Sequence, residues 1–235
     1  MLGAREDEEM TQFHIVNSTA KSVRTDLALQ LLRQRAEKDP DVLVALQERG
    51  REWQVEAQNL VERLSNESPI WKHRIRLANM EKGETTIPAA SMAMSLKPLL
   101  QSPYFGGLRH DDQLKILEAY WAGMREVLRP VFDNPTEYAF QKGVGVQVMH
   151  AILPHVLELV KGQALPVTDP QSYTRLLREP LEKLEGDDGS GNPVSGPTFW
   201  AAAPVGAAGT YSGSAGRRVL AAKVKQALPD VDIIA

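Results

Sequence analysis

Residues 13–32 read FHIVNSTAKSVRTDLALQLL, opening as a strand and closing as an amphipathic helix. Residues 12–16, QFHIV, alternate and carry aromatic and β-branched side chains, the pattern of a β-strand. NSTAKSV then breaks it, because Asn17, Ser18 and Thr19 bond readily to nearby backbone, as a strand-to-helix turn requires. Thr25 is placed to cap the following helix and Asp26 suits the positive end of its dipole, while Leu27, Leu29, Leu31 and Leu32 supply an apolar stripe. The chain that follows reads as mostly helical, so this strand has no sheet of its own. An unpaired row of N–H and C=O groups is a liability. The expectation is therefore a partner chain that completes the strand or an upstream half that does so.

Helix starts and stops divide the rest of the chain. The first helix should end before Asp39-Pro40, and Asp41 restarts a longer one to about Leu64, which Gly50 can bend. Residues 69–87 predict a short hairpin or extended excursion, since IWKHRIRLA alternates apolar and basic residues behind Pro69. SMAMSLKPLL returns to helix and should end near Pro98 and Pro103. Leu114, Leu117, Tyr120, Trp121, Met124 and Leu128 then recur at helical spacing. Another helix is expected from about Tyr138 to Lys161, with Gly143 and Gly145 allowing close packing and Pro154 kinking it. Asp169-Pro170 opens the next helix, to about Leu184. EGDDGSGNPVSGP reads as a surface linker, and GRRVLAAKVKQAL as a short C-terminal amphipathic helix. The fold class is mainly α, divided into residues 1–38, a helical domain over 39–186, and a Gly-rich loop with its helix over 187–235.

Composition narrows the function classes. The 235 residues are 43% hydrophobic, enough for a substantial core, and the formal net charge is −3. That balance disfavours broad phosphate affinity and leaves local basic patches open. With no cysteine, disulfides, thiol catalysis and Cys-based zinc sites are all excluded. The acidic start MLGAREDEEM has no secretory pattern, and no run of about 18 uninterrupted apolar residues occurs. A cytoplasmic protein with no membrane contact is expected.

Several constellations bear on chemistry. Ser18 and Lys21 make an S-x-x-K spacing, but the companion S-D-N and K-T-G elements are absent, and a turn explains the pair more simply. His150 and His155, five apart, do not share a helix face as an i, i+4 ligand pair would. Asp111 and Asp112 beside His110 read as helix capping rather than a metal or acid–base cluster. Neither a metal nor a cofactor is expected, and no catalytic residue is assigned. WKHRIR, residues 71–76, is the best local nucleic-acid candidate: Lys72, Arg74 and Arg76 to contact phosphate and Trp71 to stack on a base. Its competing reading is a solvated strand face with Trp71 anchoring the core. Arg217, Arg218, Lys223 and Lys225 form a second basic patch. GPTFWAAAPVGAAGTYSGSAGRR, with Phe199, Trp200 and Tyr211 among glycines, is read either as a ligand- or nucleotide-facing loop or as an arm packed onto the missing sheet.

FHIVNSTAKSV followed by a helix, then RIRLAN and SLKPLL, resembles the downstream half of DGQHR-domain proteins, over about residues 8–160. In that family a strand reading roughly F-x-x-I-N-x-x-x-K-x-V follows the signature motif. The resemblance implies a ParB/sulfiredoxin-like core, here reduced to a small residual β element beside a helical domain. It also implies a bacterial, DNA-associated regulatory or defence-linked role, related to a regulator of DNA phosphorothioation. Asn17 and Lys21 match motif positions, and with Arg24 they would line the motif pocket. The Asp-Gly-Gln-His-Arg signature occurs nowhere in this chain. The chain is therefore expected to be a C-terminal portion of such a protein, with DNA as its partner. The alternative is a non-catalytic interaction module that accepts a partner's strand along residues 12–16.

Overall fold

A computed structural model of the chain describes residues 25–78 and 80–229. The strand expected at residues 12–16, together with Asn17, Lys21 and Arg24, lies outside the described residues. Helix α1 (Thr25–Lys38) stops before Asp39, whose carboxylate caps α2 (Pro40–Glu48) by accepting from Asp41 N at 3.1 Å. The single helix expected from Asp41 to Leu64 is two helices. Gly50, at φ 59°, takes the left-handed conformation and ends α2, with Gly50 N bonded to Gln47 O at 2.9 Å and Arg51 N to Leu46 O at 2.8 Å. These are the paired bonds of a Schellman stop. Helix α3 (Trp53–Glu67) then starts anew.

Residues 69–87 form the extended excursion and not the hairpin. Its two strands, β1 (Ile75–Arg76) and β2 (Ile87–Pro88), pair in parallel, with the buried Ile75 and Ile87 opposite one another. Helix α4 (Ala89–Leu100) runs past Pro98, which lies in its last turn. After α5 (Pro103–Gly106) comes α6 (His110–Val127), and all six periodic residues read from the sequence, Leu114 to Leu128, are buried. Asp111 and Asp112 lie in its first turn at the positive end of the dipole, but the N-cap position is Arg109 and no side chain caps it. Arg63 on α3 donates to Asp111 Oδ1 at 2.7 Å and to Glu67 Oε1 at 3.0 Å, holding both carboxyls below their usual range and tying α3 to the start of α6.

Helix α7 (Arg129–Asp133) leads to α8 (Gly143–Gly162), which begins five residues later than Tyr138 because residues 137–139 are drawn into pairing with the C-terminal segment. Ala139 N bonds to Trp200 O and Ala202 N to Glu137 O, each at 2.7 Å. Helix α8 is long and apolar enough to cross a membrane, with a mean hydropathy of 1.4 over its most apolar window. Its side chains are instead packed against α4, α9 and a C-terminal helix, as in the central helix of a core.

Helix α9 (Pro170–Glu182) is capped by Asp169, as its Asp-Pro start predicts, and lies along α6. The two approach so closely that a Cβ on Gly123 would stand 2.7 Å from Pro170 O and 2.8 Å from Tyr173 Cβ. The stretch read as a surface linker is a hairpin, β3 (Glu185–Asp187) against β4 (Pro193–Ser195). Its turn is built on Asp188, whose carboxylate accepts from Ser190 N, Asn192 N and Asn192 Nδ2 at 2.7–3.0 Å. The described residues close with α10 (Gly196–Phe199), a 3₁₀ turn (Ala208–Tyr211) and α11 (Ser214–Gln226), which packs on α8. Phe199, Trp200, Ala207 and Ala208 are fully buried and close a helical core, while Ser214, Arg217 and Arg218 at the end of the same stretch line a surface cleft. The molecule is mainly helical, with two small sheets.

Gly123→Ala is expected to destabilise the fold by about 1–3 kcal/mol in chemical denaturation, since only backbone and a Cβ are there to yield. Gly143→Ala, whose Cβ would meet nothing within 4 Å, should be neutral or slightly stabilising.

Candidate functional site

The most organised polar group in the interior joins three helices. His150, on α8, is fully buried. Its Nε2 accepts from Trp121 Nε1 on α6 at 3.0 Å, and its Nδ1 lies 2.8 Å from Ser95 Oγ on α4. Ser95 Oγ also donates to Met92 O at 2.6 Å. Indole N–H can only donate, so Nε2 must be the unprotonated nitrogen and Nδ1–H must donate to Ser95. The serine proton is then directed at the carbonyl. Burial pushes the His150 pKa down to about 3, which keeps the ring neutral.

This arrangement brings a serine and a histidine within hydrogen-bond distance, the geometry from which nucleophilic catalysis starts. The direction of the proton chain opposes it, because a general base needs a lone pair facing the hydroxyl, and here the nitrogen facing Ser95 carries the proton. The trio is a structural clasp. No sequence motif marks it: Ser95 lies 55 residues from His150 and Trp121 lies 29 away.

Among the described residues, two surface clefts each gather more than one cation. The first, of about 260 Å³, gathers Lys72 and Arg74 from the loop entering β1, Arg125 from α6, and Asp133 from α7. Gln141 forms part of its lining and is buried, with Nε2 donating to Ile70 O at 3.4 Å. Asp133 is drawn to Arg129 at 3.7 Å and Arg74 to Glu84 at 3.8 Å. Lys72 and Arg125 are exposed and have no carboxylate partner among the described residues. Arg125 has no sequence signal, because only folding carries it to the loop. Trp71 is fully buried against Trp121, ring centroids 4.7 Å apart, and offers no face for a base to stack on; it anchors the core. Arg76 is half-buried on β1 and does not line this cleft.

The second cleft, of about 620 Å³, is lined by α4, α8 and α11 and includes Arg217, Arg218, Ser95 and Gln147. It brings the two arginines of the C-terminal patch together. Lys225 and Lys223 lie on α11 outside this cleft, and Lys223 Nζ donates to Glu185 O.

His155 sits 3.5 Å from Glu158 on its own helix, and among the described residues no group of three His, Cys, Asp or Glu side chains is arranged to hold a metal. No family model matches the chain, and neither a curated protein nor a solved structure matches it.

The clasp gives two expected outcomes. Below the ordinary histidine pKa near 6.5 the unfolded chain takes up a proton at residue 150 that the folded chain refuses until about pH 3. Stability from this group is therefore whole above pH 6.5 and falls with decreasing pH across that window, by up to about 1.4 kcal/mol per unit. Denaturation of wild type and His150→Gln at pH 7 and pH 5 should show a smaller pH loss in the variant. A fluorophosphonate probe should leave Ser95 unlabelled by mass spectrometry; stoichiometric labelling there would refute the proton direction deduced from Trp121.

Proposed function

We propose that the chain is a DNA-associated regulatory protein of the DGQHR type, binding the phosphate backbone without base stacking from Trp71. The supporting observation is the convergence of Lys72, Arg74 and Arg125 from two separate elements on one polar cleft that faces a single carboxylate, Asp133. In a chain of net charge −3, such a local excess of cations over acids suits phosphate contact. The overall negative charge opposes long-range attraction, so association should be weak and strongly salt-dependent. The regulatory or defence-linked setting follows from the resemblance of residues 8–160 to that family.

Fluorescence anisotropy with a short labelled duplex at low ionic strength tests this reading. Wild type should bind, and Lys72→Ala and Arg125→Ala should each weaken binding and lower the slope of log K against log salt by about one. Glu137→Gln, away from the cleft lining, should not reduce it. Absence of binding at low salt, or binding indifferent to both cation substitutions, would remove the proposal.

A further inference from the structure

We infer that the 620 Å³ cleft between α4, α8 and α11 is a binding site for a small organic phosphomonoester: Arg217 and Arg218 hold the phosphoryl group, and the apolar wall takes the organic part. The inference stands on a different cleft from the DNA reading and does not depend on it.

Charge is the first support. Not one carboxylate lines the cleft, and among the described residues neither arginine has an acidic partner. The Arg217 side chain is half-buried and oriented by donating through Nη1 to Ser212 O, which leaves its other N–H groups for a ligand. Arg218 is exposed and makes no side-chain hydrogen bond among the described residues. Two guanidinium groups without counter-charge lining one cleft match a dianion. A lone carboxylate would neutralise only one of them. Guanidinium forks also suit the several oxygens of a phosphoryl group.

The setting of the arginines adds to this. Ser214, at the first position of α11, lines the same cleft, and no side chain caps that helix. The positive end of its dipole therefore reinforces the two arginines instead of being spent on a local carboxylate. Gln147, half-buried on α8, adds to the lining an amide able to donate or accept.

Size and polarity give the rest of the ligand. The volume falls within the range of small-molecule sites and exceeds what bare phosphate needs. Met94 and Pro98, both exposed on α4, give the wall an apolar surface for which a free anion has no use. Met94 is 48% exposed, and its unbranched thioether can conform to a flat or irregular organic group. Ser95 lies at the base with its hydroxyl proton already given to Met92 O, so it contributes shape and not chemistry. The site binds and does not hydrolyse.

Isothermal titration of the full chain with phenyl phosphate, inorganic phosphate and benzoate tests the assignment. Phenyl phosphate should bind saturably, with inorganic phosphate and benzoate each several-fold weaker because each lacks one half of the match. Arg217→Ala and Arg218→Ala should each weaken phenyl phosphate by roughly tenfold or more. Met94→Glu, at a solvent-exposed position where folding is not at risk, should abolish binding by placing a carboxylate beside the arginines. Lys72→Ala, which weakens the proposed DNA contact, should leave phenyl phosphate binding unchanged, so the two readings can fail separately. The inference is overturned if phenyl phosphate does not bind at millimolar concentration, if benzoate binds equally well, or if Arg218→Ala and Met94→Glu bind like wild type.

Discussion

The hydrogen bond from Trp121 to His150 fixes more of this molecule than any other polar contact. A buried imidazole is tolerable only if both nitrogens are satisfied, and the indole and Ser95 meet that need from two different helices. In doing so they set the rotation of α4, α6 and α8 relative to each other. Trp121 is also the ring around which the other aromatics gather, with Trp71, Tyr120, Phe132, Phe140 and His150 all in edge-on contact. Phe140 passes the stack on to Trp200 and Phe199, so the C-terminal segment is held by the same cluster. Of the three fully buried indoles, only that of Trp121 has an acceptor for its N–H among the described residues.

This dependence explains where the surface clefts fall. Helices α4 and α8 are clasped through Ser95 and His150, and the Arg217–Arg218 cleft is lined by these two helices and α11. On the other side, Trp71 is pinned beneath Trp121, so the residues that follow it, Lys72 to Arg74, are held against the C-terminal half of α6 where Arg125 projects. The backbone that carries Lys72 and Arg74 is set by the aromatic packing below it.

Much of the fold was legible in the sequence wherever one face of an element meets the core. Helix α6 could be read from Leu114 to Leu128 because its burial follows the helical period, and α9 from its Asp-Pro start; Asp39-Pro40 marked the end of α1, but the stop at Gly50 was read as a bend. The hairpin at residues 185–195 gave no such signal: it is held by Asp188 and backbone bonds, with no alternating apolar face. Residues 199–208 bury Phe199, Trp200, Ala207 and Ala208 without regular spacing, so composition alone suggested an open loop. Lys72, Arg74, Arg217 and Arg218 were visible as basic residues. Arg125, Ser95 and Gln147 were not, because their importance lies in neighbours 50 or more residues away, and Arg76 and Trp71 looked equivalent to Lys72 until burial separated them.

The Schellman stop at Gly50 has a consequence for how the molecule comes apart. Ahead of it, α2 touches the rest of the described structure mainly through α1, and α1 rests on α4 and on α3, where Arg33 contacts Asn59 and Glu62. The α1–α2 pair is thus a cooperative unit of its own, with little apolar area to retain it and Val44 half in solvent. Arg49 and Arg51 flank the stop and are exposed, which makes this the natural point of entry for a trypsin-like protease. Cleavage there would leave α3 to α11, with the aromatic cluster and both cationic clefts, as the resistant remainder.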